Sequence, residues 1–171
     1  MSRIAGSRSA VAMRDYRRRF VPVGSTLAAS LLALLPIVAS RPLLPELALL
    51  VAIAWRLLRP EIWPAYMALG LGLFNDLVAA HPLGQSMATW TMLFLACDFI
   101  DSRVGFRDYW MDWLIAAAAM LFHAAASWYI AMLMGARIEF SILLPQLGVS
   151  VLVYPIVARF VLGLDRWRLS R

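Results

Sequence analysis

Residues 62–80 read IWPAYMALGLGLFNDLVAA, a run apolar and long enough to cross a bilayer, yet carrying Asp76 near its end. About 20 apolar residues span the hydrocarbon core, so Ile62 to Ala80 is expected to be a transmembrane helix. A carboxylate inside such a helix costs roughly 2.5–3.5 kcal/mol on insertion scales, and residues of this kind face a bundle interior, a partner or an aqueous cavity. Ala68, Gly72 and Asp76 are spaced four apart and share one helix face. Small residues on that face let a second backbone approach closely, so Asp76 is expected to point into a helix contact. Its bland role is a hydrogen bond inside the bundle. The sharper alternatives are a proton or cation site, or a substrate contact. The hydrogen bond is preferred, and on that basis Asn at position 76 is expected to be tolerated.

Outward from this stretch the whole chain has the same character. Its 171 residues are 63% hydrophobic and 15% charged, with a mean hydropathy of +0.75, against roughly 45–50% apolar residues in soluble domains. An integral membrane protein of one compact domain is expected, with no room for a soluble domain beside the spans. Six apolar segments follow one another: Phe20–Ser40, Leu43–Leu58, Ile62–Ala80, Leu83–Ile100, Trp110–Met134 and Ile142–Leu162. The fold class is therefore all-α, a polytopic bundle of six transmembrane helices. Residues 20–163 form the bundle, 1–19 a basic cytoplasmic N-terminal tail that is mobile or lies on anionic lipid, and 164–171 a short basic cytoplasmic tail. Pro42, Pro45, Pro60, Pro64 and Pro82 fall at or near segment starts, where a missing backbone N–H costs least. Pro36, Pro145 and Pro155 lie inside or near the ends of the first and last segments and are expected to kink them.

Every basic residue is an arginine. Arg3, Arg8, Arg14, Arg17, Arg18 and Arg19 precede the first span, Arg56 and Arg59 follow the second, Arg103 and Arg107 follow the fourth, and Arg159, Arg166, Arg168 and Arg171 close the sixth. Only Arg41 and Arg137 fall on the other side. Under the positive-inside rule this asymmetry puts both termini in the cytoplasm. The arginines flank spans and form no recognition element, so nucleic acid is not an expected partner, whereas membrane lipids are. Trp63, Tyr66, Trp110, Trp113, Trp128, Tyr129 and Trp167 lie towards segment ends, as an interfacial aromatic belt would place them. Arg17 to Phe20, followed by an apolar run and Val38-Ala39-Ser40, imitates a cleavable signal. The run is closer to span length than to signal length, so it is expected to be retained.

Little else points to chemistry. Cys97 is the only cysteine, which rules out an intrachain disulfide framework, and a zinc site is not expected from His81 and His123, which lie far apart. His81 reads as a surface turn residue. His123 lies in the middle of a span and reads as hydrogen-bonded within the bundle, with no acidic partner assignable. Asp98 and Asp101, beside Arg103, read as a solvated, charge-paired interface, as do Asp108 and Asp112. No nucleotide-binding, zinc-protease or nucleophile-elbow motif is present, so neither an enzyme nor a cofactor is expected.

Pro45, Trp55, Pro60, Gly72, Asp76 and Gly84 reproduce the pattern Pro-x9-Trp-x4-Pro-x11-Gly-x3-Asp-x7-Gly, which resembles the rod shape-determining protein MreD family. The pattern runs from the second helix to the start of the fourth. Elsewhere the likeness is one of length, span number and orientation. The resemblance implies a non-enzymatic inner-membrane subunit of the cell-elongation complex, binding MreC and supporting peptidoglycan synthesis near MreB, RodA and a class B penicillin-binding transpeptidase. It also implies a fold similar to the substrate-binding subunits of energy-coupling-factor transporters. The competing expectation is therefore a vitamin-type transporter subunit with a pocket near Asp76, for which Ala29 to Ala33 would offer a small-residue surface to a coupling partner.

Overall fold

The computed structural model describes residues 8–34, 45–105, 108–136 and 139–169, with side chains from Phe20 onward, Ala33 excepted. Pro36, Arg41, Pro42, Arg107, Arg137 and the Val38-Ala39-Ser40 site lie outside the described residues. Among those described, all regular structure is helical. Six α-helices follow in order: α1 Arg8–Leu31, α2 Leu47–Leu58, α3 Ala65–Val78, α4 Gln85–Arg103, α5 Tyr109–Leu133 and α6 Leu144–Leu169. Short 3-10 turns, Leu32–Leu34, Pro60–Ile62 and Phe140–Leu143, extend α1 and precede α3 and α6.

The proline punctuation explains several of these limits. Pro60 opens the 3-10 turn after α2, Pro64 stands at the cap of α3 with extended backbone, and Pro145 occupies the first turn of α6, where no helical N–H is lost. Pro155 lies inside α6, and Pro22 inside α1. The Pro22 carbonyl accepts the hydroxyls of Ser25 at 2.9 Å and Thr26 at 3.1 Å.

Two limits differ from expectation. Residues 8–19, expected as a tail distinct from the first span, are continuous with it in α1. The last helix likewise runs to Leu169 rather than ending at Leu162. Arginine is a good helix former, no glycine or proline stands at the Arg19–Phe20 junction, and the single Gly163 at the other junction is carried within α6.

The centre of the bundle is α2. Its sequence, LALLVAIAWRLL, has no polar face until Arg56, and every residue from Ala48 to Leu57 is buried. α1, α4, α5 and α6 surround it. The third and fourth helices make the most intimate hairpin of the fold, with Gly72 and Asp76 between them, and its outward face carries exposed Tyr66, Leu73 and Leu77.

Thr26, Ser30, Asn75, Asp76, Ser86, Thr89 and His123 are buried, while Leu83, Leu114, Leu152 and Ile156 are exposed. Two stretches, Tyr109–Leu133 and Phe140–Leu169, are long and apolar enough to cross a membrane. With 12 and 14 residues, α2 and α3 reach only about 18 and 21 Å, short of the roughly 30 Å hydrocarbon core.

Candidate functional site

The connection between α3 and α4 is built by three of the residues that the sequence singled out. Asp76 lies in the last turn of α3 and is buried, and its carboxylate reaches across to the start of α4. There Oδ2 accepts the Gly84 N–H at 2.9 Å and Oδ1 the Ser86 N–H at 2.8 Å, with the Met87 N–H at 3.4 Å from Oδ2. A helix start leaves N–H groups without intrahelical partners, and a side-chain oxygen at the cap normally serves them. Here the cap residue is Gly84, which has no side chain, so a carboxylate from the preceding helix performs that task. Its negative charge also suits the positive end of the α4 dipole.

Gly84 holds φ +95°, a left-handed conformation that glycine adopts at no steric cost. Gly72 fulfils a different need. A Cβ at position 72 would lie 2.6 Å from both Cα and N of Met87, so only glycine lets the two backbones meet. Asn75 reinforces the junction through Ser86 Oγ at 3.2 Å. The bond pattern bears on the expectation that Asn is tolerated. Both carboxylate oxygens accept a backbone N–H, so Asn, although the same shape, would set its amide donor against one of those donors.

Of the remaining motif residues, Pro45 lies at this same end, beside Glu46, whereas Trp55 and Pro60 lie at the opposite end of the bundle. Trp55 is fully buried, donates Nε1–H to Ser25 Oγ at 2.8 Å, and lies under the Arg168 guanidinium at 5.4 Å. It thereby joins α1, α2 and α6. Pro60 is exposed in the turn that follows, and Pro45 immediately precedes α2, its carbonyl accepting Leu47 N–H at 2.8 Å.

Two charge networks staple the end that holds Trp55. Arg56, fully buried in α2, donates to Asp98 and, at 2.9 Å, to Asp101 on α4. The two aspartates, expected as a solvated pair beside Arg103, are therefore partners of a buried arginine on another helix. Arg103 instead lies over the Phe99 ring at 5.2 Å. In the second network Asp165 of α6 accepts Arg59 at 2.9 Å and Arg168 at 2.6 Å. The Asp165 hydrogen bond holds the Arg59 guanidinium above its ordinary value.

A cavity of about 470 Å³ opens at the other end of the bundle, between α2, α4, α5 and α6. Its polar wall is centred on His123, which is buried. The ring's Nε2 is 2.9 Å from Glu46 Oε2, and its Nδ1 is 2.7 Å from Thr89 Oγ1. Gln85 Nε2 donates to Ser127 Oγ at 2.8 Å, and that oxygen lies 3.5 Å from His123 Nε2. His81, expected as a surface turn residue, is half-buried on the cavity wall, with an Nδ1 atom that has no partner. None of the six motif residues lines this cavity.

Three further expectations are altered. Trp63 is no belt residue: it is buried and packs edge-on to Phe94 with centroids 5.9 Å apart. Trp110, Tyr66, Tyr129 and Trp167 are exposed. Ala29, expected on an open small-residue surface, is buried in the core. Glu46 escaped the sequence reading because it stands 77 positions from His123 and only the antiparallel return of α5 brings them together. Among the described residues no group of three or more His, Cys, Asp or Glu is arranged to hold a metal ion. Comparison of the chain with protein-family models, with curated proteins and with solved structures finds no match.

Proposed function

We propose that this chain is a six-span scaffold subunit of the bacterial cell-elongation complex, held in the inner membrane with both termini cytoplasmic and binding MreC. The observation that carries this reading is how the motif residues are used. Trp55, Gly72, Asp76 and Gly84 all serve to hold helices to one another, and none faces the cavity. A pattern devoted to rigidity suits a protein whose task is to present a fixed surface. The apolar outward faces and buried polar groups support a hydrocarbon surrounding, in which polar side chains turn towards the bundle interior. Helices α2 and α3 are short for a bilayer, and the all-round burial of α2 makes this tolerable, since protein rather than lipid surrounds it.

For the partner we assign the groove between α4 and α5. It encloses about 550 Å³ and is lined by Met92, Ala96, Ile100, Leu114, Ala118 and Phe122 among others. Small residues there permit the close backbone approach on which membrane helix association relies, so a single transmembrane helix of MreC is the fitting occupant. RodA, MreB and the class B transpeptidase would then be neighbours in the complex rather than direct ligands. Co-purification from co-expressing membranes tests this. Wild type is expected to retain MreC, and Ala118→Trp to lose it without a change in melting temperature. A wild-type chain that never retains MreC would refute the proposal.

The cavity favours a second reading, a substrate-binding subunit of a small-molecule transporter. Burial of Ala29 counts against it, because that residue, expected on the surface offered to a coupling partner, instead faces inward.

A further inference from the structure

The cavity beside His123 has a wall chemistry that partner scaffolding does not use. Its volume, about 470 Å³, lies within the range of pockets that enclose small ligands. Leu49, Leu50, Met120 and Leu147 supply an apolar wall, and Trp128 an aromatic one. Opposed to these is a polar cluster that holds one carboxylate, Glu46. Nε2 of His123 can bring one hydrogen to Glu46, whose two oxygens lie 2.9 and 3.1 Å away, whereas a carboxylate offers about four acceptor sites. Part of that capacity faces outward, since the Glu46 side chain retains 27% exposure. Gln85 commits one of its two amide hydrogens to Ser127. Among the described lining residues Glu46 is the sole acid and no arginine is present.

A carboxylate with unused acceptor capacity, an indole and an aliphatic wall together recognise a cation on an apolar body. An ammonium group brings three donors and is attracted to the face of tryptophan. We infer that this cavity binds a small molecule carrying a primary ammonium group on an apolar body, the head at Glu46 and Trp128 and the body along Leu49, Leu50, Met120 and Leu147. A free amine and the headgroup of phosphatidylethanolamine share this chemistry. The inference concerns the cavity alone and stands whether or not the chain is a scaffold.

The test uses the full chain in nonionic detergent, with phenethylamine as probe and phenethyl alcohol as its neutral counterpart, read by thermal shift and native mass spectrometry. Charge-assisted hydrogen bonding predicts about tenfold or greater preference for the amine. Glu46→Gln is expected to abolish the preference, and Ala124→Trp, which fills the cavity, to abolish binding of both probes. Co-purified phosphatidylethanolamine that wild type retains and Ala124→Trp loses identifies the ligand as a lipid. Uptake of phenethylamine by protein free of that lipid identifies a soluble amine. Equal binding of amine and alcohol, an unchanged preference in Glu46→Gln, or no binding of either probe or the lipid overturns the inference. Retention of MreC, read on the same samples, separates failure here from failure of the scaffold proposal.

Discussion

Asp76→Ala removes the acceptor for the first N–H groups of α4, and the size of the loss follows from the geometry. Two bonds are short, Ser86 N–H at 2.8 Å and Gly84 N–H at 2.9 Å, while the third, from Met87 at 3.4 Å, contributes little. A hydrogen bond to a charged group contributes about 1.5–3 kcal/mol. Taking the lower figure for each short bond predicts a destabilisation of about 3 kcal/mol, beyond the usual range for losing a helix cap. In a chain of this size, that corresponds to a fall in melting temperature of roughly 6–12 °C. Asp76→Asn keeps one oxygen and turns an amide donor towards the other N–H, so it should lose about half as much. Tryptophan fluorescence during heating in detergent measures both, and the expected order is wild type, then Asn, then Ala. An Asp76→Ala protein melting within about 2 °C of wild type, less than 1 kcal/mol on the same scale, would refute the capping role.

Other variants probe the remaining contacts. Gly72→Ala should push α3 and α4 apart at a cost of roughly 1–3 kcal/mol, whereas Gly70→Ala, whose Cβ meets nothing within 4 Å, should melt like wild type. Removing both carboxylates, Asp98→Asn with Asp101→Asn, strands a fully buried arginine, while Arg56→Met leaves two aspartates that water can reach. The double variant should therefore melt lower than Arg56→Met. Asp165→Asn takes the charge from the acceptor shared by Arg59 and Arg168 and should melt below wild type in the same assay.

Local chemistry made much of this fold legible. The six apolar runs and the prolines that punctuate them correspond to six α-helices, and the i, i+4, i+8 face of Ala68, Gly72 and Asp76 does meet another helix. The pairing partners were not legible, because a periodicity says which side of a helix is inward but not which helix lies there. Arg56 looked like a loop arginine marking the cytoplasmic side until α4 was found beside it. His123 looked solitary because Glu46 is far off in the chain. The Asp76 interaction was half legible: its carboxylate was expected to bond, yet only the left-handed Gly84 shows why α4 needs a cap from outside itself.

The enclosure of α2 bears on how the chain is made. That helix is synthesised before α5 and α6, two of the four helices that finally surround it. Until then Arg56 can meet only α4, Arg59 has no Asp165, and Trp55 has no Arg168 above it. A nascent chain stopped before α6 should thus hold its central helix partly unsheathed, with the Trp55 side that later meets α6 open. Docking of α6 is then the step that closes the sheath around α2.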